Sequence, residues 1–91
     1  MGSIGAGKIS NSTIDRTPFK NIGGGQWELD IPGVGGASIL DETDSSRAGY
    51  GTGTAYSVSI WDKDYNIISN TLVGSLNAGK AMAKDTLKRQ G

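Results

Sequence analysis

The side chains able to do chemistry in this sequence are few, and the absent types narrow the field first. There is no cysteine and no histidine. That removes disulfides, thiolate nucleophiles, histidine acid–base work and zinc sites of the usual kind. Serine and threonine are abundant, but no Ser-x-x-Lys arrangement occurs, and Lys20 or Lys63 would serve as a base only if buried and neutral. The carboxylates Asp41, Glu42 and Asp44 cluster. Catalysis by such a group needs two carboxyls held in different environments before a substrate. Placed at a strand end beside a polar loop, these are expected to be solvated, and to serve recognition rather than reaction. The expectation is a non-catalytic protein, with no catalytic residue, no metal and no cofactor.

Two motifs point elsewhere and fail on their surroundings. Gly-x-x-x-x-Gly-Lys occurs from Gly2 to Lys8 and again from Gly74 to Lys80. A phosphate-binding loop needs a strand before it, a helix after it, and a hydroxyl next to the lysine for magnesium. The first copy has no preceding strand and is followed by Ile9. The second is followed by Ala81, and too little chain remains for a nucleotide-binding sheet. The run Asp62-Lys63-Asp64-Tyr65-Asn66 opens like a calcium loop, but Ile67 and Val73 occupy the positions that require glycine and glutamate. A tight hairpin turn accounts for these acids, because Asp and Asn bond their own backbone.

What remains are recognition side chains. The glycine-rich stretch 45–53 carries Arg47 and Tyr50, the types that dominate binding hot spots and that also grip phosphates and stack on bases. Trp61 alternates away from Tyr56, Val58 and Ile60. If a helix covers the Tyr56 side, Trp61 is an open-face contact residue. If the helix covers Trp61, it is core, and the need of a small sheet for every large apolar group favours core. Near the C-terminus, Lys80, Lys84, Lys88 and Arg89 gather with Asp85 as the lone acid after residue 70. They form either a nucleic-acid contact or the usual enrichment of cations at a helix C-terminus.

The elements that must position these residues follow from periodicity. Residues 26–31 (QWELDI) alternate as a half-buried strand, and Pro32-Gly33 breaks it. A weaker strand spans 37–42, a stronger one 54–61, and 67–73 returns as its hairpin partner. Ser75 is placed to cap a helix over 76–89. Leu76, Gly79, Ala83, Thr86 and Leu87 share one of its faces, and Asn77, Ala81, Lys84, Asp85 and Lys88 lie opposite. In residues 1–25 the isoleucines match neither period, so an irregular, flexible glycine-rich arm is expected. It would carry at most a short edge strand near Lys8–Thr13, with Gly23-Gly24-Gly25 as a hinge. The fold class is α+β: a three- to five-stranded antiparallel sheet with one C-terminal helix packed on one face. Residues 1–25 form the arm and 26–91 the single domain.

Ninety-one residues allow one domain, and 35% apolar content with fifteen glycines allows only a modest core. Nine bases balance nine acids, which argues against domain-wide nucleic-acid binding. No stretch has the length and hydropathy of a signal peptide or a bilayer span, so a cytoplasmic protein without a membrane partner is expected.

The stretch from Tyr56 to Arg89, a hairpin followed by SLNAGKAMAKDTLKR, resembles a pattern in very small bacterial and phage proteins. There a strand pair runs into a Leu-x-x-Ala/Gly-Lys-x-x-Ala helix lying on the sheet, and anti-CRISPR proteins are among those that look like this. The likeness covers about a third of the chain and transfers no functional residue. It implies a mobile-element origin and stoichiometric binding. The leading expectation is a protein-binding module, an inhibitor of a bacterial defence complex that acts by steric occlusion in the host cytoplasm through Arg47, Tyr50 and Trp61. One alternative is nucleic-acid binding by Lys80, Lys84, Lys88 and Arg89. Another is a structural homo-oligomer or virion component joined through edge strands or the arm.

Overall fold

Alternating apolar residues fix which side of the central strands is buried, and short turns join the strands on either side of one longer connection, residues 42–55. A computed structural model describes residues 10–42 and 55–90. The elements are α1 (Asn11–Arg16), β1 (Lys20–Gly23), β2 (Gln26–Ile31), β3 (Gly35–Asp41), β4 (Tyr56–Asp62), β5 (Ile67–Val73) and α2 (Leu76–Gln90). The strands form one antiparallel sheet in the order β1-β2-β3-β4-β5, so every neighbour in the sheet is also a neighbour in sequence. The α+β class, the antiparallel sheet and the C-terminal helix expected from the sequence are all present.

Each turn has a local cause. Gly24 and Gly25 both have positive φ, 62° and 74°, which suits the two-residue hairpin joining β1 to β2. Between β2 and β3, Pro32 precedes Gly33 at φ 84°, and the Val34 N–H donates to the Ile31 carbonyl at 3.0 Å. Proline followed by a left-handed glycine is the pattern of a type II turn. Between β4 and β5 the Asp62 carboxylate does the work of a turn. Its Oδ1 accepts from the Asp64 N–H at 2.8 Å and from the Asn66 N–H at 3.0 Å. Those bonds, the one from Asn66 first, hold the Asp62 carboxyl below its ordinary value.

The core lies on one face of the sheet. Leu29, Ala37, Ile39, Val58 and Ile60 are buried there, and α2 covers them with Gly79, Ala83 and Leu87. A Cβ on Gly79 would stand 3.1 Å from Val58 Cγ2 and 3.4 Å from Ile39 Cδ1, so the small helix face lets α2 lie close. Ser75 caps the helix as expected, its Oγ accepting from the Ala78 N–H at 3.1 Å.

Residues 10–25 depart from the expected irregular arm. They carry a one-turn helix, α1, and an edge strand, β1, while Lys8–Thr13 contributes no strand among the described residues. Gly23-Gly24-Gly25 is a hairpin reversal rather than a hinge. Ser10 caps α1, with the Thr13 N–H donating to its Oγ at 3.3 Å. Ile14 is fully buried. Asp15 holds α1 onto α2: Lys88 Nζ pairs with its Oδ1 at 2.8 Å, and Lys84 Nζ donates to its carbonyl at 2.7 Å. The bond from Asp15 raises the Lys88 ammonium above its ordinary value.

Candidate functional site

The face of the sheet away from α2 is the one on which recognition residues gather. Alternation puts Gly36, Ser38 and Leu40 of β3, and Ser57, Ser59 and Trp61 of β4, on this open side. Cross-strand pairing sets Leu72 against Ser57, Asn70 against Ser59 and Ile67 against Trp61. A register shift opposite Ile60–Trp61 inserts Ile68 as an extra residue of β5 beside them. Leu40, Ile67, Ile68 and Leu72 are all exposed. Towards β2 the same face turns polar, with Gln26, Glu28 and Asp30. Gln26 Nε2 donates to Ser38 Oγ at 3.0 Å there.

Trp61 is therefore not core beneath the helix, the placement favoured from the sequence. Alternation shows which residues share a face, not which face the helix takes. The helix takes the Val58–Ile60 side, where its small residue Gly79 lies close against Val58 and Ile39. Trp61 is nonetheless half-buried, because its ring lies over Gly36, where a Cβ would stand 2.7 Å from the indole. Its Nε1 is buried and meets no acceptor among the described residues. An unmade bond at a buried donor costs about 1–3 kcal/mol, a cost borne by this placement of the indole.

Tyr65 is the residue that sequence reading missed. It sits in the β4–β5 turn at φ 66°, where glycine or asparagine is usual, and it is 74% exposed. With Trp61, Asp30, Pro32 and Gly33 it lines a water-sized hollow of about 30 Å³ at the end of the sheet. The turn thus holds an exposed aromatic in a backbone conformation unfavourable to tyrosine. The signal available in the sequence was one aromatic inside a turn otherwise made of Asp, Lys and Asn.

The remaining candidates are dispersed. Arg47, Tyr50 and Asp44, with the Gly2–Lys8 motif, lie outside the described residues. Asp41 is exposed, but Glu42 is buried at 5% exposure, contrary to the expectation that these carboxylates are solvated. Lys20 and Lys63 are both exposed. Of the four C-terminal bases, Lys84 and Lys88 are engaged by α1 rather than turned to solvent as the helical wheel implied, and both are half-buried. Lys80 is half-buried and Arg89 exposed. The Gly74–Lys80 motif is a strand end leading into the tightly packed turn of α2 at Gly79. No group of three or more acidic side chains among the described residues is placed to hold a metal. No described helix is long and apolar enough to cross a membrane. Compared with known proteins, the chain matches no family model, no curated protein and no solved structure.

Proposed function

We propose that this chain is a non-catalytic protein-binding module that uses the open face of its sheet, centred on Trp61, to cover a working surface of its partner. The observation that carries this reading is an apolar stripe of Trp61, Ile67 and Ile68 at one end of a face that no described element covers, with a second exposed pair, Leu40 and Leu72, beyond the polar row Ser38, Ser59 and Asn70. A half-buried tryptophan beside exposed aliphatics supplies contact area with little side-chain entropy to lose. Tyr65 extends the stripe at its end. A partner of bacterial defence, inhibited by occlusion in the cytoplasm of a phage host, fits the small size and the resemblance of residues 56–89.

The test is co-elution on size exclusion with purified CRISPR effector complexes, using the full chain and its Trp61→Ala and Tyr65→Ala variants. Co-elution that Trp61→Ala abolishes, with the circular-dichroism spectrum unchanged, is the expected result. Co-elution indifferent to both variants would remove the open face as the contact. Nucleic-acid binding ranks second, because two of its four expected bases are tied to Asp15. If it holds instead, labelled DNA or RNA binds the chain with an affinity that falls steeply with salt.

A further inference from the structure

The two edges of the sheet differ in kind. β1 has four residues, carries Lys20, and ends in a register shift at Gly23. Shortness, a lysine and an irregularity are the devices that discourage edge pairing. β5 has seven residues, IISNTLV, without charge, proline or glycine. No described strand lies beyond it.

The backbone phase of β5 follows from two bonds. The Ala55 carbonyl accepts from the Glu42 N–H at 2.9 Å, towards β3, and the Asp62 N–H donates to the Asn66 carbonyl at 2.9 Å, towards β5. Backbone groups of alternate residues in a strand point to opposite neighbours. Tyr56, Val58 and Ile60 therefore bond to Val73, Thr71 and Ser69, and Asn70 and Leu72 direct their N–H and C=O outward. The side-chain character of β5 is also symmetric about Asn70: Ser69 mirrors Thr71, Ile68 mirrors Leu72, and Ile67 mirrors Val73.

We propose that β5 pairs antiparallel with β5 of a second copy about a two-fold axis through Asn70, joining the two sheets into one. The two Asn70 residues exchange both backbone bonds, and their amides, each donor and acceptor, meet on the open face. Leu72 lies opposite the second copy's Ile68, and Ile68 opposite the second copy's Leu72, within contact range for cross-strand pairs. A shift by one residue sets Asn70 against Ser69 or Thr71 of the second copy, whose backbone groups point towards β4, and a shift by two sets it against an aliphatic, Ile68 or Leu72. A palindromic, uncharged edge fits a copy of itself better than an unrelated strand, because an isologous joint places the same residues on both sides. The two-fold axis is perpendicular to the sheet, so both copies of α2 lie on one side and both open faces on the other. The pairing shares Ile68 and Leu72 with the proposed contact face but leaves Trp61 outside the joint.

Sedimentation velocity of the full chain, from low micromolar to near-millimolar concentration, reads the pairing directly. The chain is expected to shift from monomer to dimer. Asn70→Pro is expected to remain monomeric with unchanged circular dichroism, since the N–H it removes points away from β4. If Asn70→Pro unfolds, Asn70→Cys decides: the chain has no other cysteine, and oxidation should trap a disulfide-linked dimer across the axis. Asn21→Cys on β1 should not be trapped. A chain still monomeric at the highest concentration overturns the proposal. So does a dimer that persists in folded Asn70→Pro, or one in which Asn70→Cys fails to crosslink. Trp61→Ala should leave the dimer intact while losing the defence complex, so the two proposals fail separately.

Discussion

The two faces of this sheet are built from the same strands and the same alternation, yet they are finished differently. On the covered face, Ile39, Val58 and Ile60 are fully buried against Gly79, Ala83 and Leu87. On the open face the central row is Ser38, Ser59 and Asn70, flanked by Leu40 and Leu72 on one side and Trp61 and Ile67 on the other. The first is a packed interior, in which each methyl has neighbours on all sides. The second buries its tryptophan by laying it on a glycine and leaves its aliphatics in water. A small domain can build only one core. Large apolar groups on the second face contribute little to folding, and the proposed partner contact would give them a role.

Truncation tests that contrast most sharply. Ile60→Ala on the covered face should cost about 2–5 kcal/mol, while Leu72→Ser on the open face should stay within about 0.5 kcal/mol, both read by urea denaturation. Comparable losses would mean that the open face is covered by residues 1–9 or 43–54 and is not a free surface. A smaller effect of opposite sign is expected at Tyr65. Tyr65→Gly relieves a left-handed conformation and should raise stability by about 1 kcal/mol. A gain in stability together with weakened partner binding would mark Tyr65 as a residue kept for contact. Least in size is the response of the covered face to alkali. The Lys88 ammonium is raised above its ordinary 10.5 by Asp15, so its contribution is complete below that value and fades as pH climbs through the raised one. Over that range the α1 amides should lose hydrogen-exchange protection before those of β3 and β4. Simultaneous loss would show that α1 is not held by Lys88.

The sheet was legible in the sequence where alternation was regular. Gln26–Ile31 and Ile67–Val73 fall where periodicity and turn residues put them, and Tyr56–Asp62 within two residues of it. The weaker strand also formed, because Gly35 and Gly36 extend it against Asp62 and Trp61. α1 was not legible. It has one buried residue, Ile14, and its remaining support comes from lysines that lie far along the chain. β1 was hidden for a related reason: it is exposed along its length and exists through pairing with β2. The candidate site was half legible. Trp61 stood out by type, but the open aliphatics of β5 looked like ordinary strand residues until the helix took the other face.

The clasp between Asp15 and the lysines of α2 has a consequence for the order in which the molecule assembles. Each strand pairs with the one before it in sequence, so the sheet can grow hairpin by hairpin, three of its four closures spanning two to four residues and the β3–β4 closure fourteen. The bond from Lys84 to Asp15 spans 69 residues and can form only after the last helix has settled on the sheet. The first helix among the described residues is therefore the last to find its place. It closes the structure as a buckle closes a belt, and a ribosome releasing this protein must finish the C-terminal helix before the N-terminal one can dock.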